Sequence, residues 1–154
     1  MTDMRRAGAP FMREHGDDAL RRALSHYMSV TPELDRDQYL DGLMRRFTIA
    51  RDWAVFLEQH PILLLPNSWE RQFPIDDDQR SPERTAQILL AQAPMLAPAV
   101  LGLPGLSVPT GVDQGLPAGV QLVAARFRED RLLAAGEVIE RAAKFSALEW
   151  LEQR

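Results

Sequence analysis

Serine and lysine are the residue types in this sequence that could together break an acyl bond, because a serine hydroxyl becomes a nucleophile when a base takes its proton. The sequence contains one lysine, Lys144, and these serines: Ser25, Ser29, Ser68, Ser81, Ser107 and Ser146. None of them stands in a Gly-x-Ser-x-Gly turn or a Ser-x-x-Lys pair. We expect Ser107 to be a buried hydroxyl bonded to backbone rather than a nucleophile, and Lys144 to be a cation at a helix end. The residues themselves therefore indicate no catalytic group.

Metal and nucleotide sites gain no support from the sequence. Cysteine is absent, which excludes disulfides, thiolate zinc sites and cysteine nucleophiles. The histidines at positions 15, 26 and 60 form no His-Glu-x-x-His pattern, and no glycine pattern for phosphate binding occurs. Asp76–Asp78 could bind a hard cation, but without calcium-loop spacing they favour a solvated acidic loop. We expect no cofactor.

Composition and charge narrow the class of protein. The chain has 154 residues, of which 45% are hydrophobic and 26% are charged, as in ordinary globular proteins. Its net charge of −4, without a block of lysine or arginine, argues against a nucleic-acid partner. The N-terminus has no apolar signal region, and no apolar run approaches the roughly 20 residues of a membrane span. We therefore expect a cytoplasmic protein with no membrane partner.

Two helices are predicted before residue 61. The first covers Asp17–Met28. Thr31 as N-cap and Pro32 as first helical residue would begin the second, which runs to about His60 and is stopped by Pro61. Apolar residues at helical spacing predict that the second helix buries one face, made of Leu40, Leu43, Met44, Phe47, Ala50, Ala54 and Leu57.

Three apolar segments predict strands. Ile62–Leu65 is a continuous apolar run between prolines, typical of a strand buried on both faces. Gly105–Val108 and Gly119–Ala124 follow, and glycines and prolines punctuate their connection. Helices are predicted at Pro82–Ala91 and from Glu129, the latter with a buried stripe of Leu132, Leu133, Gly136, Ile139 and Ala143. Pro94–Val100 is predicted as a short apolar helix or turn that ends at Gly102. Glycine at 136 suggests close approach to a neighbouring strand. About three strands among helices predict the α/β class.

An ordered set of short segments carries a family resemblance. They are Arg46-x6-Trp53, Leu63-Leu-Leu-Pro66, Gly102-Leu-Pro-Gly-Leu-Ser-Val-Pro109, Gly115-Leu-Pro-Ala-Gly-Val-Gln-Leu122, and Phe127-Arg-Glu-Asp130 before a Leu-Leu-Ala-Ala helix. In this order and spacing the chain resembles the C-terminal part of the amidase-signature family, from about Arg46 to Ala143.

The resemblance implies a fold and an activity. The chain would form the C-terminal fragment of the family's mixed β-sheet, flanked by helices, with Val120–Val123 inside. The family hydrolyses carboxylic amides to an acid and ammonia or an amine, using a Ser-Ser-Lys set in a Gly/Ser-rich segment upstream. This sequence lacks that segment, so no catalytic residue carries over. The resemblance implies that the isolated chain is inert and meets an amide substrate only when the missing part completes it.

Loops at strand ends often line pockets. The resemblance implies that the loop after Leu65, which begins with Pro66, could contact the substrate, and its candidate substrate-binding residues are Asn67, Ser68 and Trp69. The turn at Gly111–Pro117 is a less favoured candidate for contact with the substrate.

We expect residues 1–154 to form a single partial domain, with an N-terminal helix region at 1–30 and an amidase-like region at 31–154. Such a chain, roughly the last third of a full-length member, could be a truncated reading frame, an expression fragment or half of a split gene. Its unpaired strand edge and apolar surface predict self-association. The alternative is a non-enzymatic α/β module that pairs with itself or with a separately encoded catalytic half. A ligand-binding domain of unrelated descent would leave the ordered matches unexplained.

Overall fold

A computed structural model describes Thr2 and residues 4–152. These residues form seven α-helices and three β-strands, which confirms the α/β class and the number of strands. The helices are α1 (Ala9–His15), α2 (Asp18–Val30), α3 (Arg36–Gln59), α4 (Pro82–Ala91), α5 (Ala93–Leu101), α6 (Glu129–Ala143) and α7 (Ala147–Glu152). The strands are β1 (Ile62–Pro66), β2 (Gly105–Asp113) and β3 (Leu116–Ala124).

The chain divides into two compact units. One comprises Met1–Arg45 and Glu70–Ala91, and the other comprises Arg46–Trp69 and Gln92–Arg154. The division falls within α3. A single partial domain with a boundary near residue 30 stays a prediction.

The first unit packs α1 and α2 around a small apolar core. α2 begins where the Asp17 carboxylate accepts a hydrogen bond from the backbone N–H of Leu20 at 2.8 Å, the geometry of an N-cap. The buried side chains of Ala9, Leu24 and Met28 form the core, and α4 packs against α2. The first predicted helix is thus confirmed.

The junction between α2 and α3 differs from the prediction. Thr31 is the C-cap of α2, and its hydroxyl donates to the carbonyl of Tyr27 over 2.7 Å. α3 begins at Arg36, after a reciprocal capping pair. Asp35 Oδ1 accepts from the backbone N–H of Gln38 at 2.8 Å, and Gln38 Oε1 accepts from that of Asp35 at 3.1 Å. This capping box satisfies two backbone donors, whereas the Thr31 hydroxyl already serves the preceding helix.

α3 ends at Gln59, before Pro61, as predicted. The prediction that it buries one apolar face is wrong for most of its length. The exposed fraction is 46% for Leu40, 66% for Met44 and 64% for Phe47, against 1% for Leu57. Helical periodicity defines an apolar face, but a face is buried only where another element covers it. Neither α3 nor any other helix in the described part of the chain is long and apolar enough to cross a membrane.

The three strands form one antiparallel sheet in the order β1-β3-β2. Leu64 and Leu106 both lie opposite Leu122, which fixes the register on either side of β3. Gln114 and Gly115 connect β2 to β3 with φ angles of 50° and 79°. Positive φ at both central residues is required by a type I′ turn, whose twist matches that of the flanking strands.

β2 and β3 are longer than predicted. Pro109 and Gly111 lie within β2, and Pro117 lies within β3, rather than in the connection. A register shift between Pro109 and Gly111 forms a bulge, which lets the ladder continue past a residue that cannot donate a hydrogen bond.

α6 covers one face of the sheet and forms the main core of the second unit. The buried residues of this core are Val108, Leu122, Ala124 and Leu132. A Cβ on Gly136 would stand 2.6 Å from Leu106 Cδ2, which confirms the predicted close approach of helix and strand. Leu133, predicted in the buried stripe, is 64% exposed. Successive helical residues differ by 100° in direction, so when one faces the sheet the next turns away.

β1 is not buried on both faces, contrary to the prediction. Leu64 is 57% exposed, and Ile62 and Leu63 are half-buried. β1 lies at one edge of the sheet that the described residues form, and those residues cover its faces incompletely.

Candidate substrate loop and the end of helix α5

The loop after β1 contacts the opposite edge strand. Asn67 Nδ2 donates a hydrogen bond to Ser107 Oγ over 2.9 Å. The side chains can meet because Leu65 and Ser107 both lie opposite Gln121, and alternation along an extended chain directs residue 67 to the same face as residue 65. The structure therefore brings the loop after β1 into contact with the family-like segment Gly102–Pro109.

Ser107 differs from its predicted environment. It is exposed rather than buried, and its hydroxyl accepts from a side chain rather than bonding to backbone. Asn67 Oδ1 is buried and has no hydrogen-bond partner among the described residues. The Asn67 side chain thus uses one of its two N–H donors, and its acceptor is unsatisfied among the described residues.

The other two candidate residues differ in exposure. Ser68 is half-buried, and Trp69 is 62% exposed. Of the three candidates, the structure joins Asn67 to the sheet face and leaves the Trp69 ring largely open to solvent. Their role in substrate binding stays a prediction.

Gln121 extends the polar row on this face of the sheet. Its side chain is buried, with 7% exposed, and Nε2 donates to the carbonyl oxygen of Pro94 over 3.2 Å. A Cβ on Gly105 would lie 3.6 Å from the same nitrogen. Buried amides need such partners, so this bond fixes β3 to the start of α5.

The C-terminus of α5 is held by two arginines distant in sequence. Arg46 Nε donates to the carbonyl of Val100 over 2.5 Å, and Arg126 Nη2 donates to that of Leu101 over 2.6 Å. Gly102 follows in the left-handed conformation, with φ of 67°. The last carbonyls of a helix lack intrahelical partners and carry the negative end of its dipole, so guanidinium donors are well placed there. Sequence reasoning marked Arg46 as part of a motif but did not identify this function.

The acidic loop of the first unit is not simply solvated, contrary to the prediction. Asp77 is 2% exposed and accepts hydrogen bonds from Arg84 Nε at 2.7 Å and Arg80 Nη1 at 3.1 Å. Arg84 also donates to Glu70 over 2.8 Å. Hydrogen bonding to Arg84, opposed by burial, holds the pKa of Asp77 below its usual value. No group of three His, Cys, Asp or Glu residues suited to a metal ion occurs among the residues that the structure describes.

Lys144 and Ser146 line one cavity of about 480 Å³ near the end of α6. Lys144 adopts a left-handed conformation as the C-cap of α6, and its backbone N–H donates to the carbonyl of Glu140 over 3.1 Å. The hydroxyl of Ser146 accepts from the backbone N–H of Glu149 at 3.2 Å. Within the described residues no hydrogen bond joins the lysine to a serine. Both residues therefore serve as helix caps.

Comparisons with known proteins agree with the sequence segments. A family model described as Amidase matches residues 5–133. An indoleacetamide hydrolase of Bradyrhizobium japonicum is 35% identical over 111 residues, which are 71% of this chain and 24% of that protein. One subunit of the glutamyl-tRNA(Gln) amidotransferase is 33% identical over 131 residues in Gluconobacter oxydans and 36% identical over 133 in Parvibaculum lavamentivorans, covering 84% and 86% of this chain. The chain spans about a quarter of the length of these relatives. It belongs to the amidase family.

Proposed function

We propose that this chain supplies the C-terminal scaffold of an enzyme that hydrolyses carboxylic amides to an acid and ammonia or an amine. The observation that carries the proposal is the family match over residues 5–133, because that range contains all three described strands and the start of α6. The Bradyrhizobium relative is named for the hydrolysis of indoleacetamide, an amide with an aromatic body. An arylacetamide is therefore the first substrate to test.

We also propose that the 154-residue chain is inert by itself. Hydrolysis by a serine needs a nucleophile, a base and donors for the oxyanion. The resemblance assigns the first two to a Ser-Ser-Lys set that this sequence lacks. The hydroxyls of Ser107 and Ser146 are each engaged in a hydrogen bond, and Lys144 closes a helix end. These contacts support a scaffold role.

In the completed enzyme Asn67, Ser68 and Trp69 would contact the substrate. The Asn67 Oδ1 atom is a buried acceptor without a donor among the described residues, and the N–H of a carboxamide is a donor. The exposed Trp69 ring offers apolar surface for an aromatic substrate body.

Indoleacetamide turnover tests the proposal. We expect no hydrolysis by the chain alone and hydrolysis by its complex with a Gly/Ser-rich polypeptide that carries the Ser-Ser-Lys segment. In that complex Asn67→Ala should raise KM, whereas Ser29→Ala, at an exposed position of α2, should leave KM unchanged. Hydrolysis by the chain alone would contradict inertness, and an inactive complex would contradict the scaffold role.

A second candidate function is a non-enzymatic module that self-associates or pairs with a separately encoded catalytic half. Exposed apolar side chains on α3, Met44 and Phe47 among them, favour it, because apolar surface of this kind marks interaction sites. β1 and β2 also lie at the two edges of the described sheet, where backbone groups can pair with another chain. Light scattering during gel filtration tests self-association, and a monomer at all concentrations would exclude it. Co-purification with a Gly/Ser-rich polypeptide would support the pairing instead.

A further inference from the structure

A cavity of about 390 Å³ lies beside the C-terminal half of α3. Four of its lining residues are apolar: Ala50, Ala54, Leu103 and Ala125. Its volume falls within the range of about 300–1,000 Å³ that small-molecule sites occupy. The second unit contains all of these residues. The cavity is therefore a candidate ligand site within one compact part of the chain.

Two alanines on one face of α3 leave this space open. Ala50 and Ala54 are four residues apart, so their side chains lie one above the other on the same face. Leucine in place of Ala54 would extend into the cavity and reduce its volume. The single substitution Ala54→Leu can thus fill the site, and leucine has a high helix propensity.

The charged residues of the lining favour an anion. They are Arg51, Glu58 and Arg126, two cations and one carboxylate. Arg51 Nε also lies 3.9 Å from Asp52 Oδ1, so Arg126 is the principal cation that a ligand in the cavity would meet. The hydrogen bond from Arg126 Nη2 to the Leu101 carbonyl fixes the guanidinium in place. This bond uses one of the five N–H donors of the guanidinium and leaves others able to bind a ligand.

A neighbouring cavity, also of about 390 Å³, shares Arg126 and Leu103 but has a different charge balance. Its lining includes Glu129, whose carboxylate offsets Arg126, and it contains no second arginine. An anionic ligand would therefore bind in the cavity on α3 in preference to this one.

We propose that the cavity on α3 binds a small monocarboxylate with an apolar body. The carboxylate would pair with the Arg126 guanidinium, whose planar set of donors matches two carboxylate oxygens. The apolar body would lie against Ala50, Ala54 and Ala125. A cationic ligand of the same shape would meet the like charge of Arg126. The inference does not depend on the proposed amide hydrolysis, because it concerns binding by residues of this chain alone.

Titration of the full chain with phenylacetate, followed by ¹H–¹⁵N NMR, tests the proposal. We expect saturable shift changes at the backbone amides of Ala50, Ala54 and Ala125, with a Kd of about 1 mM or tighter. Phenylacetamide has the same shape without the charge and should bind at least about tenfold more weakly, a difference of about 1.4 kcal/mol. Absence of saturable changes up to about 10 mM phenylacetate would overturn the proposal.

Two variants test whether phenylacetate binds in this cavity. Ala54→Leu should weaken phenylacetate binding at least about tenfold, whereas Ala134→Leu, at an exposed position of α6, should leave the Kd unchanged. Arg51→Gln, at an exposed side chain, should weaken binding several-fold and serves as the test if circular dichroism shows Ala54→Leu to be unfolded. An unchanged Kd in folded Ala54→Leu, or in Arg51→Gln, would overturn the proposal.

Discussion

The guanidinium of Arg46 donates a hydrogen bond to the carbonyl oxygen of Val100, 54 positions later in the chain, over 2.5 Å. The bond joins α3 to the C-terminus of α5, where Arg126 donates to the next carbonyl along. The Arg46 segment is therefore joined to the helix that immediately precedes the Gly102–Pro109 segment. The Arg46 side chain thus links α3 to α5.

Arg46→Met should lower the free energy of unfolding by about 1 kcal/mol, because it removes a charge-assisted hydrogen bond from a helix end while keeping the apolar stem. Urea denaturation followed by circular dichroism measures the change. Arg45→Met is the matched control, since Arg45 is an exposed neighbour on the same helix. Equal effects of the two substitutions would show that the bond to Val100 contributes nothing.

The glycines of α3 and α6 should respond differently to substitution by alanine. A Cβ on Gly42 would meet no atom within 4 Å, so Gly42→Ala should stabilise the protein by about 1 kcal/mol through helix propensity. A Cβ on Gly136 would stand 2.6 Å from Leu106 Cδ2 and 3.4 Å from Val108 Cγ2. Overpacking of this kind costs about 1–3 kcal/mol, which matches or exceeds the propensity gain.

Thermal melts of the two alanine variants measure this difference. We expect a higher Tm for Gly42→Ala than for the wild type, and an equal or lower Tm for Gly136→Ala. A Gly136→Ala variant as stable as Gly42→Ala would mean that α6 does not approach β2 as closely as the structure has it.

The contact between Asp77 and Arg84 should make stability depend on pH. Hydrogen bonding to Arg84 lowers the pKa of Asp77 from its usual value of 3.8, so the folded state binds this proton less readily than the unfolded chain does. The stabilisation is therefore complete above the unfolded-state pKa and is lost as the pH falls through the folded-state pKa. Asp77→Asn should lower the Tm by several degrees near neutral pH, and the gap should narrow below about pH 4.

Asp76→Asn is the control for this substitution. Asp76 has a left-handed φ of 61°, which asparagine also tolerates, and its side chain accepts a hydrogen bond from Gln79 that an amide oxygen can also accept. Melts of both variants between about pH 3 and pH 7 separate the two positions. A gap between wild type and Asp77→Asn that is constant with pH would contradict a titrating role for Asp77.

Much of the fold was predictable because local chemistry determines it. Pro61 ends α3, Pro82 begins α4, and Gly102 ends α5 in the left-handed conformation. The burial of α3 was not predictable, since Met44 and Leu57 occupy the same apolar pattern and differ in what covers them. An amphipathic sequence determines which face of a helix is apolar, but it does not determine which element packs against that face.

The candidate site was predictable in position but not in contacts. The end of a strand marked Asn67 as a loop residue, and in the structure it directly follows β1, which ends at Pro66. Its bond to Ser107 depends on the strand order β1-β3-β2, which no local pattern encodes. The hydrogen bonds of Arg46 and Arg126 likewise depend on where α5 ends, because they bind the last carbonyl groups of that helix.

A double-mutant cycle on Asn67 and Ser107 should measure their coupling. Their hydrogen bond joins the loop after β1 to β2, so Asn67→Ala and Ser107→Ala should destabilise the protein by less in combination than in sum. The expected coupling is about 0.5–1.5 kcal/mol, the net value of a hydrogen bond between neutral groups. Ser107 with Ser146 supplies the control cycle, since Ser146 instead bonds to the Glu149 backbone. If the two residues are hydrogen-bonded, either single substitution removes the bond, and the second substitution then costs no further bond. Additive effects in the Asn67–Ser107 cycle would therefore contradict the contact.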